Sequence, residues 1–170
     1  MSVPIKEEGL VQLFNGINIT QGQDNIKIHV TSYLERVLER HKDWLQHYPT
    51  NNEPLPMKSD KDTARELESA QPAMTADGKI DENAIKQLEQ EYGFQYRSIT
   101  GEMIFAMVTA RPDISFATVK LCQYNSKPAR AHFEAAKHLL LYLRDTKEDG
   151  ITFWRKQKNM GLPKLPFPIP

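Results

Sequence analysis

The sequence has few of the features that mark an enzyme site. Its single cysteine, Cys122, excludes an internal disulfide and a zinc site built on several cysteines. The five histidines lack metal-ligand spacing, and there is no glycine-rich phosphate loop, no serine nucleophile elbow and no pair of adjacent aspartates. We therefore predict no catalytic residue, no metal ligand and no cofactor for this chain.

Long apolar runs are also missing. Runs such as Leu139 to Leu143 are too short to span a bilayer, and residues 1–10 carry Lys6, Glu7 and Glu8, unlike a signal peptide. With 39% hydrophobic and 26% charged residues, the composition is typical of soluble globular proteins. We expect an intracellular chain, cytoplasmic or nuclear, without a membrane partner.

The net charge is zero, but the two halves of the chain differ. Residues 1–93 contain 10 Lys+Arg and 16 Asp+Glu, whereas residues 94–170 contain 12 and 6. A basic half favours a polyanionic partner. A solubilising surface charge explains the same excess, and the charge balance alone favours that simpler interpretation.

Helical periodicity dominates residues 94–155. Three apolar patterns recur at steps of three and four residues, as one face of a helix requires. Pro112 and Pro128 stand where the second and third helices should begin, and Asp149-Gly150 turns the chain into a short strand, Ile151 to Trp154. The three patterns are Tyr96, Ile99, Met103, Ala106 and Ala110; Ile114, Ala117, Leu121 and Tyr124; and Phe133, Ala136, Leu140 and Leu143.

The first half adds a hairpin and two further helices. Residues 11–30 alternate as two strands around a polar connection, and residues 32–47 form an amphipathic helix that a Ser32–Glu35 capping box would start. Asp81 is expected to cap a second helix that Gly93 ends. The fold class is therefore α+β and mainly α.

The order of the side chains is more specific than their periodicity. Conspicuous pieces are Tyr96-Arg97-Ser98-Ile99, Arg111-Pro112-Asp113-Ile114, Lys127-Pro128, Ala135-Ala136-Lys137 and Tyr142-Leu143-Arg144. At their spacing, this string resembles the C-terminal part of the reverse transcriptase in copia-type LTR retrotransposons. A weaker resemblance covers residues 10–57, where Phe14-Asn15-Gly16-Ile17 is similar to the run that opens the family's hairpin behind the catalytic palm.

The resemblance implies a β-hairpin followed by a helical, thumb-like bundle and one C-terminal strand. The family's metal-binding aspartates would lie outside this chain, so Mg²⁺ is implied only for the full-length enzyme and no polymerase activity is expected here. The implied partners are the missing palm or ribonuclease H portions of a Pol polyprotein. The implied segments are 1–57, the end of the palm hairpin plus the amphipathic helix; 58–80, a flexible connector; 81–149, the thumb-like bundle; 150–155, the first strand of a truncated ribonuclease H region; and 156–170, a proline-rich tail.

Six residues are candidates for contact with nucleic acid. Arg130, Lys137 and Arg144 recur every seven residues, so they share one stripe of a helix with steps of about 10.5 Å. Such a stripe suits the phosphates of an RNA–DNA or DNA duplex. The resemblance adds Arg97 and a primer-grip role for Gly16 and Ile17.

Two alternatives stay open. Glu134 lies between Arg130 and Lys137, where it can pair with both, as on an ordinary solvated face. If the cations form such a face, one alternative is a non-catalytic helical module for protein–protein interaction that associates with itself. The other is a transposon remnant without a function.

Overall fold

The computed structural model describes residues 11–154. The predictions for residues 1–10 and 155–170, including the proline-rich tail, lie outside that range. The segment contains a four-stranded sheet and seven α-helices. In chain order the strands and α-helices are β1 Leu13–Phe14, β2 Ile17–Gln21, β3 Asn25–His29, α1 Thr31–Arg40, α2 Lys42–Leu45, α3 Lys61–Ser69, α4 Glu82–Tyr92, α5 Tyr96–Thr109, α6 Ser115–Cys122, α7 Arg130–Asp145 and β4 Gly150–Trp154, with a 3-10 helix, Pro112–Ile114, before α6. This confirms the mainly α, α+β fold class.

The sheet is antiparallel, with the order β1-β2-β3-β4, so the C-terminal strand pairs with the N-terminal hairpin. Ile28 stands opposite Ile19 on one side and Ile151 on the other, which gives the sheet an apolar face towards the core. A Cβ atom at Gly150 would lie 2.2 Å from the carbonyl oxygen of Ile28. The close approach of β4 to β3 at this point therefore requires glycine.

Three sequence predictions for the first half are wrong. The first of the two predicted strands turns at Asn15-Gly16 and forms two paired strands, β1 and β2. The predicted 32–47 helix breaks at His41 into α1 and α2. The expected capping box is absent because the N-cap of α1 is Val30, and Asn18 of β2 engages Ser32 instead. The Asn18 Oδ1 atom accepts from the Ser32 amide at 3.0 Å, so a tertiary contact replaces the local one.

A single hydrophobic core joins both halves of the chain. Val30 and Leu34 of the first half are buried in it together with Ile99 and Phe133 of the second. Asp81 and Gly93 cap α4 as predicted, and Gly93 adopts the left-handed conformation with φ 74°. The first and second halves consequently bury each other's apolar faces.

The segment 58–80, predicted as a flexible connector, contains α3. Its N-cap Asp60 accepts a hydrogen bond from the Thr63 amide at 2.7 Å, and Leu67 is its one buried side chain. Among residues 11–154, no helix has the length and apolar character needed to cross a membrane.

Candidate nucleic-acid interface

The Arg144 side chain binds the end of a neighbouring helix. Its guanidinium donates to the carbonyl oxygens of Leu45, Tyr48 and Pro49 at 3.3, 2.9 and 2.7 Å, and to the carboxylate of Asp145 at 2.6 and 3.0 Å. Only 15% of the Arg144 side chain is exposed. Carbonyl groups at the end of a helix lack intrahelical donors. Arg144 supplies hydrogen-bond donors to these carbonyl groups where the chain leaves α2.

Lys137 lies against two aromatic rings. Its Nζ atom is 5.3 Å from the centroid of the Tyr48 ring and 5.4 Å from that of Tyr92, and it is 2.6 Å from the carboxylate of Glu134. Burial disfavours the charged amine, but the hydrogen bond and charge of Glu134, together with Tyr48, outweigh burial and leave the pKa of Lys137 raised. The cation is thus stabilised within the protein.

Arg130, in contrast, is exposed. Its guanidinium forms an ion pair with Glu91, with Nη2 2.7 Å from Oε2, and lies 5.8 Å from the centroid of the Tyr92 ring. The side chains of Arg130 and Glu91 are 59% and 52% exposed. Exposed ion pairs contribute little to stability, so little free energy is lost when Arg130 leaves Glu91.

The predicted stripe is therefore mostly the surface through which α7 packs against the first half of the chain. Arg144 and Lys137 have partners there that are remote in sequence. The same packing accounts for part of the charge asymmetry, because three cations of the second half pair with acids of the first. These pairs are Lys120–Glu68, Arg130–Glu91 and Lys147–Glu35.

Much of the remaining basic excess lies after β4. Four of the twelve basic residues of the second half fall at 155, 156, 158 and 164, outside the described range. Residues 94–154 then hold eight Lys+Arg and six Asp+Glu. The described bundle is accordingly close to neutral.

We expect Arg144→Ala to lower the free energy of unfolding by about 2–3 kcal/mol, because three carbonyl groups and the Asp145 carboxylate lose a charged donor. Arg144→Lys should recover only part of the loss, since a single ammonium cannot reproduce the planar fork. Urea unfolding measures both. Lys147→Ala, which removes an exposed ion pair with Glu35, is the control and should change stability by about 0.5 kcal/mol or less. Equal effects of Arg144→Ala and Lys147→Ala would contradict this role.

Three exposed cations lie on or beside the loop between α6 and α7. Arg97, in the first turn of α5, donates from Nε to the Asn125 carbonyl oxygen at 2.8 Å. Asn125 belongs to the loop between α6 and α7, which also carries the exposed Lys127. Within residues 11–154, neither Arg97 nor Lys127 forms an ion pair, and Arg130 follows at the start of α7. The sequence analysis did not predict Lys127 as a site residue. The available signal was its position next to Pro128, just before the start of α7.

Gly16 and Ile17 lie elsewhere. Gly16 has φ 81°, and a Cβ atom there would be 3.7 Å from Phe105 and 3.9 Å from Arg36. Phe105 follows Arg97 by eight residues, or about 12 Å along α5. The structure thus fixes Arg97 on the loop that leads to Arg130, and places the hairpin turn and Arg144 elsewhere.

No protein-family model matches the sequence, and no solved structure matches it. It is 27% identical over 154 residues to the retrovirus-related Pol polyprotein from transposon TNT 1-94 of Nicotiana tabacum, covering 89% of this chain and 10% of that protein. It is 38% identical over 68 residues to the retrovirus-related Pol polyprotein from transposon RE1 of Arabidopsis thaliana, covering 40% and 4%. An uncharacterized mitochondrial protein of the same plant is 27% identical over 154 residues, covering 91% of this chain and 54% of that protein.

The chain therefore spans a tenth or less of the Pol polyproteins it matches, and about half of the mitochondrial protein. It is similar to one segment of transposon Pol polyproteins. This confirms the resemblance at the level of the Pol polyprotein.

Proposed function

We propose that this chain is the thumb-like part of a copia-type reverse transcriptase, an RNA-directed DNA polymerase. In this proposal it contacts a template–primer duplex but lacks the catalytic carboxylates of the full-length enzyme. The observation that carries the proposal is the placement of Arg97. Its Nε atom is fixed on the Asn125 carbonyl while the side chain stays exposed, beside the loop that carries Lys127.

These cations have the chemistry that a duplex backbone requires. Lys and Arg neutralise phosphates and fix the position of a duplex without reading its sequence. Arg97, Lys127 and Arg130 come from the start of α5, the loop before α7 and the start of α7. We call these three residues the basic end. Lys137 and Arg144 are excluded from it because their charges serve contacts within the protein.

Binding of a recessed RNA–DNA duplex, measured by fluorescence anisotropy, tests the proposal. We expect the triple variant Arg97→Gln, Lys127→Gln, Arg130→Gln to bind about tenfold or more weakly than the unmodified chain at low salt. The matched control removes the same charge from exposed positions around α3, through Lys58→Gln, Lys61→Gln and Arg65→Gln. Equal losses in both triple variants, or no binding by the folded unmodified chain, would contradict it.

The pure chain should give no Mg²⁺-dependent primer extension. Nucleotide addition needs two metal ions held by carboxylates, usually including adjacent aspartates, and the sequence has no such pair. Radiolabelled primer with all four deoxynucleotides provides the assay. Extension that persists through further purification would overturn this expectation.

A second candidate function rests on exposed apolar side chains of α5 and α6. Ile104 and Val108 of α5 are 40% and 68% exposed, and Phe116 and Val119 of α6 are 37% and 53% exposed. Apolar side chains grouped on a surface favour association. An interaction module of this kind should show a mass that rises with concentration in sedimentation experiments. A chain that stays monomeric and binds no duplex would fit a transposon remnant instead.

A further inference from the structure

A groove with aromatic walls lies between α2 and the end of α4. Trp44 and Tyr48 line it from α2 and the turn that follows, and Glu91 and Gly93 line it from the end of α4. Its volume is about 430 Å³. The two rings meet edge to face with centroids 6.0 Å apart, and Tyr48 is 39% exposed. We call this cavity the aromatic groove, and its size and walls suit a short extended peptide.

The Trp44 indole is held at the wall of the groove, but its N–H lacks an acceptor. A Cβ atom at Gly93 would lie 3.0 Å from Cδ1 of Trp44, so the glycine lets the ring lie against the backbone. Within residues 11–154 the buried Nε1 atom has no hydrogen-bond partner, although buried indole N–H groups usually have one. Nε1 is bonded to Cδ1, so a small turn of the ring towards the groove brings the N–H within reach of a ligand's carbonyl oxygen.

The charges that line the groove are negative. Asp43 and Glu91 both line it. Glu91 is already paired with Arg130, whereas Asp43 forms no ion pair within the described range. The nearby cation of Lys137 is neutralised by Glu134. A ligand for this groove should therefore carry a positive charge that can lie beside Asp43.

The chain itself contains a segment with the matching chemistry. Residues 161–170 read GLPKLPFPIP, with four prolines and one lysine, Lys164, and we call them the proline segment. Pro163 and Pro166 have the PxxP spacing. Proline-rich sequences favour the polyproline II conformation, and PxxP segments bind grooves lined by aromatic rings. The proline segment thus offers prolines to the two rings and a cation to Asp43.

The connection is long enough for docking within one chain. The proline segment follows β4 after residues 155–160. In the polyproline II conformation, the 16 residues from 155 to 170 span about 50 Å. A compact domain of the size of residues 11–154 has a radius of gyration of about 15 Å. The chain after β4 can therefore pass around a large part of the surface.

We propose that the proline segment docks in the aromatic groove of its own chain, with prolines against Trp44 and Tyr48 and with Lys164 beside Asp43. A tethered ligand meets its site at an effective concentration in the millimolar range, so weak contacts are sufficient. Docking covers the two rings and gives the Trp44 N–H an acceptor. It does not depend on duplex binding.

Paramagnetic relaxation in the full chain tests the docking. A nitroxide is attached through Ile169→Cys, after Cys122→Ala has removed the native thiol. The Tyr48 and Gly93 amide resonances and the Trp44 indole resonance should broaden several-fold more than the amide resonance of Val119 in α6. Groove resonances that broaden no more than that of Val119 would overturn the proposal.

Isotope mixing separates docking within one chain from docking between copies. Spin-labelled chain without ¹⁵N is mixed with ¹⁵N-labelled chain that carries no spin label, so that only contact between copies broadens a resonance. We expect the groove resonances to stay sharp in this mixture. Broadening there would assign the proline segment to the groove of a second copy and contradict docking within the chain.

Matched variants test the chemistry of the groove. The pair Pro163→Ala and Pro166→Ala should weaken docking about fivefold or more, because it removes ring contacts and makes the free segment less stiff. Asp43→Asn should weaken docking about two- to fivefold, whereas Asp62→Asn on α3, where the side chain is 94% exposed, is the control and should leave it unchanged. Trp44→Phe keeps a ring but lacks the N–H, and a loss of about threefold is expected. If Trp44→Phe fails to fold, the two aspartate variants decide, and equal effects of these two would contradict the assignment.

Discussion

Replacing Arg111 by alanine is expected to lower the free energy of unfolding by about 3 kcal/mol, because a buried side chain is removed and the Asp113 carboxylate and two oxygens of Thr146 lose a charged donor. Arg111 is 1% exposed. Its Nε and Nη2 atoms donate to the Asp113 carboxylate at 2.9 and 2.7 Å, and Nη1 and Nη2 donate to the carbonyl and hydroxyl oxygens of Thr146 at 2.8 and 2.7 Å. The side chain thus ties the corner between α5 and α6 to the end of α7.

The loss should also depend on pH. Burial would raise the pKa of Asp113, but the hydrogen bonds and charge of Arg111 hold it below its usual value. The ionised carboxylate is therefore favoured in the folded state. Its contribution is present above the unfolded pKa of about 3.9 and is lost as pH falls through the folded pKa. Arg111→Ala should remove this contribution and flatten the acid limb of the stability curve.

Urea unfolding from pH 7 to pH 2 measures both effects. Arg65→Ala is the matched control, because its guanidinium is 75% exposed and 3.7 Å from Asp62, and it should change stability by about 0.5 kcal/mol or less. A loss below about 1 kcal/mol for Arg111→Ala would mean that the corner is held by other contacts.

The second large effect is expected at Phe133, which is 0% exposed. Its ring centroid lies 5.3, 5.6 and 5.1 Å from those of Tyr92, Phe94 and Tyr96, so one side chain of α7 joins α4, the α4–α5 connection and α5. Phe133→Ala should cost about 3–5 kcal/mol, since it removes apolar contacts and leaves a cavity.

Phe133→Leu should cost less, because it refills part of the space. Val119→Ala is the control for loss of apolar volume at the surface, where the side chain is 53% exposed. Chemical denaturation compares the three. If Phe133→Ala were no more harmful than Val119→Ala, α7 could not pack in the aromatic cluster as described.

The helical bundle was predictable because its signals are local. Steps of three and four residues picked out Ile99, Met103 and Ala106 on α5, and all three are buried. Asp81 and Gly93 fixed both ends of α4 through their own backbone preferences. Neighbouring positions in the chain carry this information, so the helices can be predicted without knowledge of the tertiary structure.

The packing of the segment before α4 and the roles of the cations were not predictable in this way. Arg144 looked like a free cation on a helical face, but its carbonyl partners precede it by 95 to 99 residues. His132 likewise reaches a carbonyl 65 residues away. A periodic stripe says which side chains share a face, and only the fold says whether that face meets solvent or protein.

Affinity for a recessed RNA–DNA duplex across a salt series tests the account most directly. Log affinity should fall linearly with log salt, and each phosphate contact should contribute about 0.9 to the slope. Arg97→Gln should reduce the slope by about one, whereas Lys137→Gln, whose cation lies between Tyr48 and Tyr92, should leave it unchanged. A slope near zero, or a slope that depends on Lys137 and not on Arg97, would contradict the assignment of the basic end.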